Sequence, residues 1–186
     1  NFGSLDIKKG DYRIIPRGVT WQFQFRKKMH LLIIESKAPV STPNRYRNEF
    51  GQLLEHAPFC ERDINTPDFV APNYNKEIEL KVKFDDGIQS YIYSNHPFDL
   101  VGWDGYYFPY TLNINDFMPI TGKIHQPPPV HQTFQGNGFV ICSFVPRLFD
   151  YHAKAIPAPY AHSNVDSDEV IFYSEGEFMS LSLIHI

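Results

Sequence analysis

The segment His162-Ser-Asn-Val-Asp-Ser-Asp-Glu169, with Gly176 seven residues further on, decides how this 186-residue sequence is interpreted. It supplies an imidazole, a carboxylate and a turn glycine on a stretch with the pattern of a β-hairpin. Two histidines and one carboxylate on one face are the usual ligands of a non-haem Fe(II) centre with open coordination positions. The spacing H-x-N-x4-E-x6-G therefore provides two candidate ligands, His162 and Glu169, whereas the third is not visible.

A second motif, G-x5-P-x-G, spans Gly10–Gly18. Both motifs resemble those of the cupin superfamily, in which one domain carries the His/Glu motif first and the Gly/Pro motif later. Because the order is reversed here, residues 10–18 resemble the end of one cupin domain, and residues 162–176 resemble the start of another. The resemblance implies an all-β double-stranded β-helix, or jelly roll, and a fragment from the middle of a two-cupin protein.

Longer stretches resemble the homogentisate 1,2-dioxygenase family, over nearly the whole chain from about Leu5 to Ser180. They are His96-Pro-Phe-Asp-Leu-Val-Gly-Trp-Asp-Gly105, Ile124-His-Gln-Pro-Pro-Pro-Val-His-Gln-Thr-Phe134 and Phe144-Val-Pro-Arg147. This resemblance implies Fe(II)-dependent extradiol cleavage of homogentisate by O2 to maleylacetoacetate, a step in tyrosine and phenylalanine catabolism. It also implies a homo-oligomer, a trimer or hexamer, for the full-length protein.

Four residues are candidates for that chemistry. His162 and Glu169 are predicted to bind iron, with a third ligand, a His, expected beyond the end of this chain. His125 aligns with the active-site base of the family, where a neutral imidazole near pH 7 would take a proton from the ring hydroxyl. The hydroxyl of Tyr160, two positions before His162, is a candidate contact for the substrate carboxylate.

Other polar residues have competing interpretations. Asn164 is a poor Fe(II) ligand and is predicted to orient a neighbour by hydrogen bonding. Arg147 is either a second contact for the substrate carboxylate or a structural corner. His96 is predicted to cap a turn before Pro97, and His131 is a weaker candidate for catalysis than His125.

The composition sets limits on the class of protein. A net charge of −4 argues against a nucleic-acid partner, and 42% hydrophobic residues are enough to form a core. No run approaches the ~20 apolar residues of a membrane span, and no signal peptide is apparent. Two cysteines, Cys60 and Cys142, make no disulfide framework, so a reducing cytoplasm is expected.

Alternating apolar residues predict several strands, and 15 prolines argue against long helices. Alternation predicts strands at 19–25 and 78–84, and a hairpin turn at Asp85-Asp86-Gly87 leads to a strand at 88–93. Further strands are predicted at 29–35, 139–144 and 169–174. A modest helix is predicted at Asn48–Leu54 and a short turn at Asn113–Phe117.

The predicted organisation has four parts. Residues 1–35 end an N-terminal cupin domain, 36–119 form a connecting and partly β segment, and 120–180 begin the C-terminal catalytic cupin. Residues 181–186 are expected to be an artefactual tail. In the connecting segment, Phe50, Phe59 and Phe69 are expected to anchor the chain to a core.

Two other functional classes remain open. One is a different cupin dioxygenase that cleaves another aromatic ring, such as gentisate, with the same iron ligands. The other is a non-catalytic double-cupin binding protein, which would be expected to have lost the His162 and Glu169 pair. Without the strand that carries the third ligand, the fragment itself is expected to be inactive.

Overall fold

The computed structural model describes residues 2–71, 76–99, 105, 107–122, 128–155 and 163–176. Regular structure in these ranges consists of strands and short 3-10 helices, without an α-helix. The strands are β1 (Asp11–Ile14), β2 (Ile64–Asn65), β3 (Ile78–Phe84), β4 (Gly87–Tyr93), β5 (Tyr110–Asn113), β6 (Gln132–Gly136) and β7 (Phe139–Cys142). The 3-10 helices are Asn44–Tyr46, Glu61–Asp63, Ile114–Asp116 and Pro128–His131. The predicted all-β class is confirmed, and the double-stranded β-helix stays a prediction.

The chain divides into two compact units. The first contains Asn1–Gln24 and Ile64–Leu112, and the second contains Phe25–Asp63 and Asn113–Ile186. Each unit is therefore built from two separate stretches of sequence. The cupin borders predicted at residues 35, 119 and 180 stay a prediction.

The first unit contains a three-stranded sheet in the order β1-β5-β2. β2 pairs antiparallel with β5, with Ile64 opposite Leu112 and Asn65 opposite Thr111. Leu112 and Thr111 are almost completely buried, because β5 is the central strand and its side chains are covered on both faces. This short sheet supplies the best-packed residues of the first unit.

The β3–β4 hairpin lies in the same unit and confirms the prediction made from alternation and the Asp85-Asp86 turn. Its antiparallel register is continuous, from Ile78 opposite Tyr93 at the open end to Phe84 opposite Gly87 at the turn. Half-buried and exposed residues alternate along β3, as expected for a strand with one covered face. Every residue of β4 is exposed.

The second unit has an aromatic core formed by Phe59, Phe117 and Phe134. The ring of Phe59 lies 6.4 Å from that of Phe117 and 6.3 Å from that of Phe134, measured between centroids. All three side chains are buried. Phe134 belongs to β6, which pairs antiparallel with β7. The core therefore joins the β6–β7 hairpin to two loops distant in sequence.

Three predicted strands are wrong in the described residues. Residues 19–25, 29–35 and 169–174 have no ladder pairing there, although apolar residues alternate along the first of these segments and form continuous runs in the other two. The strand predicted at 139–144 is confirmed as β7, which ends two residues earlier. Alternation indicates which side chains share a face, but a strand also needs a neighbour to accept its backbone hydrogen bonds.

The helix predicted at Asn48–Leu54 is also wrong. The side chain of Asn48 accepts hydrogen bonds from the backbone N–H groups of Phe50 and Gln52, both at 3.0 Å. Gly51 has a φ of 83°, in the left-handed region that a helix does not use. The asparagine therefore competes with helical hydrogen bonding and forms a loop instead. The turn predicted at Asn113–Phe117 is confirmed as the 3-10 helix Ile114–Asp116, which the Asn113 side chain caps.

Candidate metal centre and its surroundings

One of the two predicted iron ligands, Glu169, lies in the described part of the chain. The apolar run Val-Ile-Phe-Tyr that follows Glu169 predicts an inward-pointing carboxylate, but Glu169 is exposed. His162, His125 and Tyr160 lie outside the described residues. Within the described ranges, no group of three or more His, Cys, Asp or Glu side chains is placed to hold a metal ion. The predicted ligand set therefore stays a prediction.

The segment before Glu169 is ordered by a turn centred on Asn164. The Asn164 side-chain oxygen accepts a hydrogen bond from the backbone N–H of Asp166 at 3.0 Å. Its amide nitrogen donates to Oγ of Ser167 at 2.7 Å. Both contacts lie within the turn, so Asn164 shapes the backbone between the two predicted ligands. Its predicted role in orienting a neighbouring metal ligand stays a prediction.

The charge of Glu169 acts on the thiol of Cys142, the last residue of β7. Burial raises the pKa of the Cys142 thiol, and the Glu169 carboxylate raises it further, while Arg45 opposes both. A carboxylate disfavours a nearby thiolate because the two negative charges repel. Glu169 therefore lies within electrostatic range of the end of β7. Both cysteines are free thiols, and Cys142 is partly buried.

The β6–β7 hairpin has a buried polar core beside His131. The hydroxyls of Thr133 and Ser143 hydrogen-bond each other, and both residues are buried. The backbone N–H of Ser143 donates to the carbonyl of His131 at 2.8 Å. The imidazole of His131 is buried and lies 4.7 Å from the Phe144 ring, between centroids. His131 is thus a packed residue at the start of β6.

Arg147, for which two roles were open, has structural partners. Its guanidinium donates to the carbonyl of Ile120 at 2.8 Å and lies 3.5 Å from the carboxylate of Asp150. The structure therefore favours the structural corner over a contact with substrate. The pairing of Asp150 with Arg147 was not predicted, although a charged residue three positions after an arginine was an available signal.

His96 caps a turn, as predicted. Its Nδ1 accepts a hydrogen bond from the backbone N–H of Phe98 at 3.1 Å, and its ring packs on the Phe98 ring. The side chain is buried. His96 is therefore a structural residue of the first unit.

Comparison with known proteins shows the family. The family model "Homogentisate 1,2-dioxygenase N-terminal" matches residues 1–114. This all-β chain therefore belongs to the homogentisate 1,2-dioxygenase N-terminal family. No solved structure matches the chain.

Similar proteins extend the match beyond residue 114. A Saccharolobus solfataricus protein named "Putative dioxygenase" is 48% identical over 179 residues, which cover 96% of this chain and 46% of the relative. Proteins named homogentisate 1,2-dioxygenase from Nitrobacter hamburgensis and Bradyrhizobium diazoefficiens are 27% and 29% identical, each over 90% of this chain and 38% of their own length. The chain therefore spans less than half the length of these relatives.

Helices are short in the described ranges. The helices found there are 3-10 helices of three or four residues, and none is long and apolar enough to cross a membrane.

Proposed function

We propose that the full-length protein is an Fe(II)-dependent dioxygenase that cleaves the ring of homogentisate with O2 to give maleylacetoacetate. The observation that carries the proposal is the intact His162 and Glu169 pair in a chain of this family. The donor types fit, because one imidazole and one carboxylate are two of the three ligands that a non-haem Fe(II) oxygenase uses. The exposure of Glu169 leaves its oxygens accessible to a metal ion.

Each candidate residue has a separate task in this proposal. His162 would contribute a ring nitrogen and Glu169 a carboxylate oxygen, and a His from the rest of the protein would complete the set. When bound, Fe(II) supplies the redox chemistry that joins O2 to the aromatic ring. His125 would accept the proton of the ring hydroxyl, and the Tyr160 hydroxyl would hydrogen-bond the substrate carboxylate. The protein also has to exclude water and hold these groups in place.

The family resemblance extends the proposal to the assembly and its location. We propose that the full-length protein forms a trimer or hexamer in the cytoplasm. Its partners would be a small aromatic substrate and O2. The two free thiols, Cys60 and Cys142, are compatible with a reducing compartment.

The proposal is tested by O2 uptake with the full-length protein, Fe(II) and homogentisate, with gentisate as the alternative substrate. Uptake with homogentisate alone is expected. Uptake with gentisate alone would support the proposed iron chemistry and show that the substrate is gentisate rather than homogentisate. No bound iron in the full-length protein would contradict the proposal as a whole and favour a binding protein.

A pair of matched variants tests the ligand assignment. Glu169→Gln removes the charge of the predicted ligand, and Asp168→Asn removes the charge of the adjacent exposed carboxylate. Iron content measured by atomic absorption should fall in the Glu169 variant and stay unchanged in the Asp168 variant. Equal iron content in the two variants would show that Glu169 is not a ligand.

A further inference from the structure

The outer edge of strand β4 in the first unit is open to pairing with another strand. Among the described residues, β3 and β4 form a two-stranded sheet, so β4 lies at an edge. All seven residues of β4 are exposed. Antiparallel strands bond through alternate residues, so about half of the backbone N–H and C=O groups of β4 point away from β3. This edge offers a row of hydrogen-bonding groups to a further strand.

The two strands of the hairpin differ in charge. β3 contains Glu79, Lys81 and Lys83, whereas β4, with the sequence Gly-Ile-Gln-Ser-Tyr-Ile-Tyr, contains neither a charged residue nor a proline. Charged side chains, lysine above all, and prolines are the usual means by which a protein keeps an edge strand from pairing. The outer edge of β3 is therefore protected in this way, and the outer edge of β4 is not.

The hairpin also exposes enough apolar surface for a specific contact. Its large apolar residues expose between 38% and 69% of their surfaces; they are Phe84, Ile88, Tyr91, Ile92 and Tyr93. For side chains of roughly 200 Å² each, this amounts to about 500 Å² in one copy of the chain. Two copies that cover each other would bury about 1,000 Å², which is the lower limit for a biological interface.

The sequence of β4 is complementary to itself when two copies run antiparallel about Ser90. Ser90 is the middle residue, so all seven residues have a partner in this register. Ile88 then lies opposite Ile92 of the second copy, and Gln89 lies opposite Tyr91 of the second copy. This register brings no like charges together. The same operation about Lys81 of β3 would place two lysines opposite each other, which is destabilising.

We infer that β4 is an interface between copies of the full-length protein, in which two β4 strands pair antiparallel about a two-fold axis at Ser90. The two hairpins then form one four-stranded sheet in the order β3-β4-β4-β3. A two-fold contact is closed, so it joins copies in pairs and does not extend into a fibre. The inference therefore requires an assembly with an even number of chains. It depends on neither the substrate nor the metal of the proposed function.

The first test is disulfide cross-linking of the full-length protein at the two-fold axis. Opposed residues of antiparallel strands have Cα atoms about 4.5–5.5 Å apart, within the range that a disulfide bridges. Ser90→Cys should therefore give a covalent dimer on oxidation with copper phenanthroline, measured on a non-reducing gel. The wild type gives the background from Cys60 and Cys142.

Lys81→Cys is the matched control for the cross-link. Lys81 pairs with Ser90 inside the hairpin, but in the four-stranded sheet it would lie three strand spacings, or about 14 Å, from its counterpart in the second copy. The dimer yield from Ser90→Cys should be at least tenfold higher than that from Lys81→Cys. Equal yields, or no dimer above background in either variant, would overturn the inference.

The second test places a charge in the contact. Ile92 pairs with Glu79 of β3, so a lysine at position 92 has a carboxylate opposite it in the hairpin, while it lies against Ile88 of the second copy. Ile92→Lys should halve the particle mass of the full-length protein, measured by light scattering. Val140→Lys is the control, because it makes a similar change at an exposed residue of β7, and it should leave the mass unchanged.

The alternative occupant of the edge is another part of the same full-length chain. In that case Ile92→Lys would lower the thermal midpoint without changing the particle mass, and this result would overturn the inference. An equal fall in mass in Ile92→Lys and Val140→Lys would also overturn it, because the effect would not be specific to β4. If Ile92→Lys does not give the circular dichroism spectrum of the wild type, the cross-linking yields decide alone.

Discussion

Replacement of Phe134 by alanine tests whether the aromatic core holds the second unit together. Phe134 is completely buried and packs on Phe59, which in turn packs on Phe117. A buried Phe removes about 150–250 Å² from water, which at about 25 cal/mol per Å² gives an upper bound of roughly 4–6 kcal/mol. The structure relaxes only partly around the cavity, so we expect Phe134→Ala to lower the free energy of unfolding by about 3–5 kcal/mol.

Urea denaturation of the 186-residue chain, followed by far-UV circular dichroism, measures this loss. The free energy of unfolding falls by about 2–3 kcal/mol per molar urea. The urea midpoint of the unfolding transition that includes the second unit should therefore fall by roughly 1–2 M. Phe50→Ala is the matched control, because it removes the same ring from a side chain that is 80% exposed. Its effect should be within about 0.5 kcal/mol. Equal midpoints for the two variants would refute the assignment of the core.

Three further predictions concern polar groups. Thr133→Val should destabilise the chain by about 1–3 kcal/mol, because it removes the buried hydrogen bond between the Thr133 and Ser143 hydroxyls, and thermal denaturation measures the loss. Burial raises the pKa of Asp63, but hydrogen bonding from Cys60 and Arg62 outweighs burial and lowers the pKa overall. The stabilising contribution of Asp63 is therefore present above about pH 4, and it is lost as the pH falls through the lowered pKa of the folded state. Asp63→Asn should therefore be less stable at pH 7 and show a smaller loss between pH 4 and pH 2, and equal acid sensitivity would contradict this. Glu169→Gln should lower the pKa of Cys142, because it removes a negative charge that disfavours the thiolate, and should therefore speed alkylation of Cys142 at pH 8. Peptide mass spectrometry measures the alkylation rate. An unchanged rate would place Glu169 away from β7.

The sequence predicted those parts of the fold whose signals are local. The β3–β4 hairpin has alternation along β3 and a two-residue Asp-Asp turn before β4, so pattern, turn and partner all lie within 16 residues. The 3-10 helix at Ile114–Asp116 was also predictable, since Asn113 provides its cap. The predictions at 19–25 and 29–35 failed because an apolar pattern does not identify a partner strand.

The core of the second unit was predicted only in part. Phe59 was expected to anchor the connecting segment, and it is buried, but Phe50 and Phe69 were expected to do the same and are 80% and 69% exposed. A hydrophobic side chain indicates a capacity for burial, whereas its partners are set by tertiary contacts. Phe117 and Phe134 come from other parts of the chain, so nothing within the segment around Phe59 identifies them. The same reason explains why the Arg147 and Asp150 partners of residues 120–122 were missed.

The candidate metal centre shows that a motif can predict a ligand pair that the local structure does not identify. His162 and Glu169 were predicted from a motif, yet the described segment 163–176, which contains Glu169, has exposed side chains and no ladder pairing. Its local order comes from the Asn164 turn, which costs little and restricts only a few residues. A metal site is rarely preformed in an unpaired segment, so part of the binding energy must be used to order the chain. Under the proposed function, iron affinity in the full-length protein should therefore depend on how residues 163–176 are ordered as well as on the identity of the ligands.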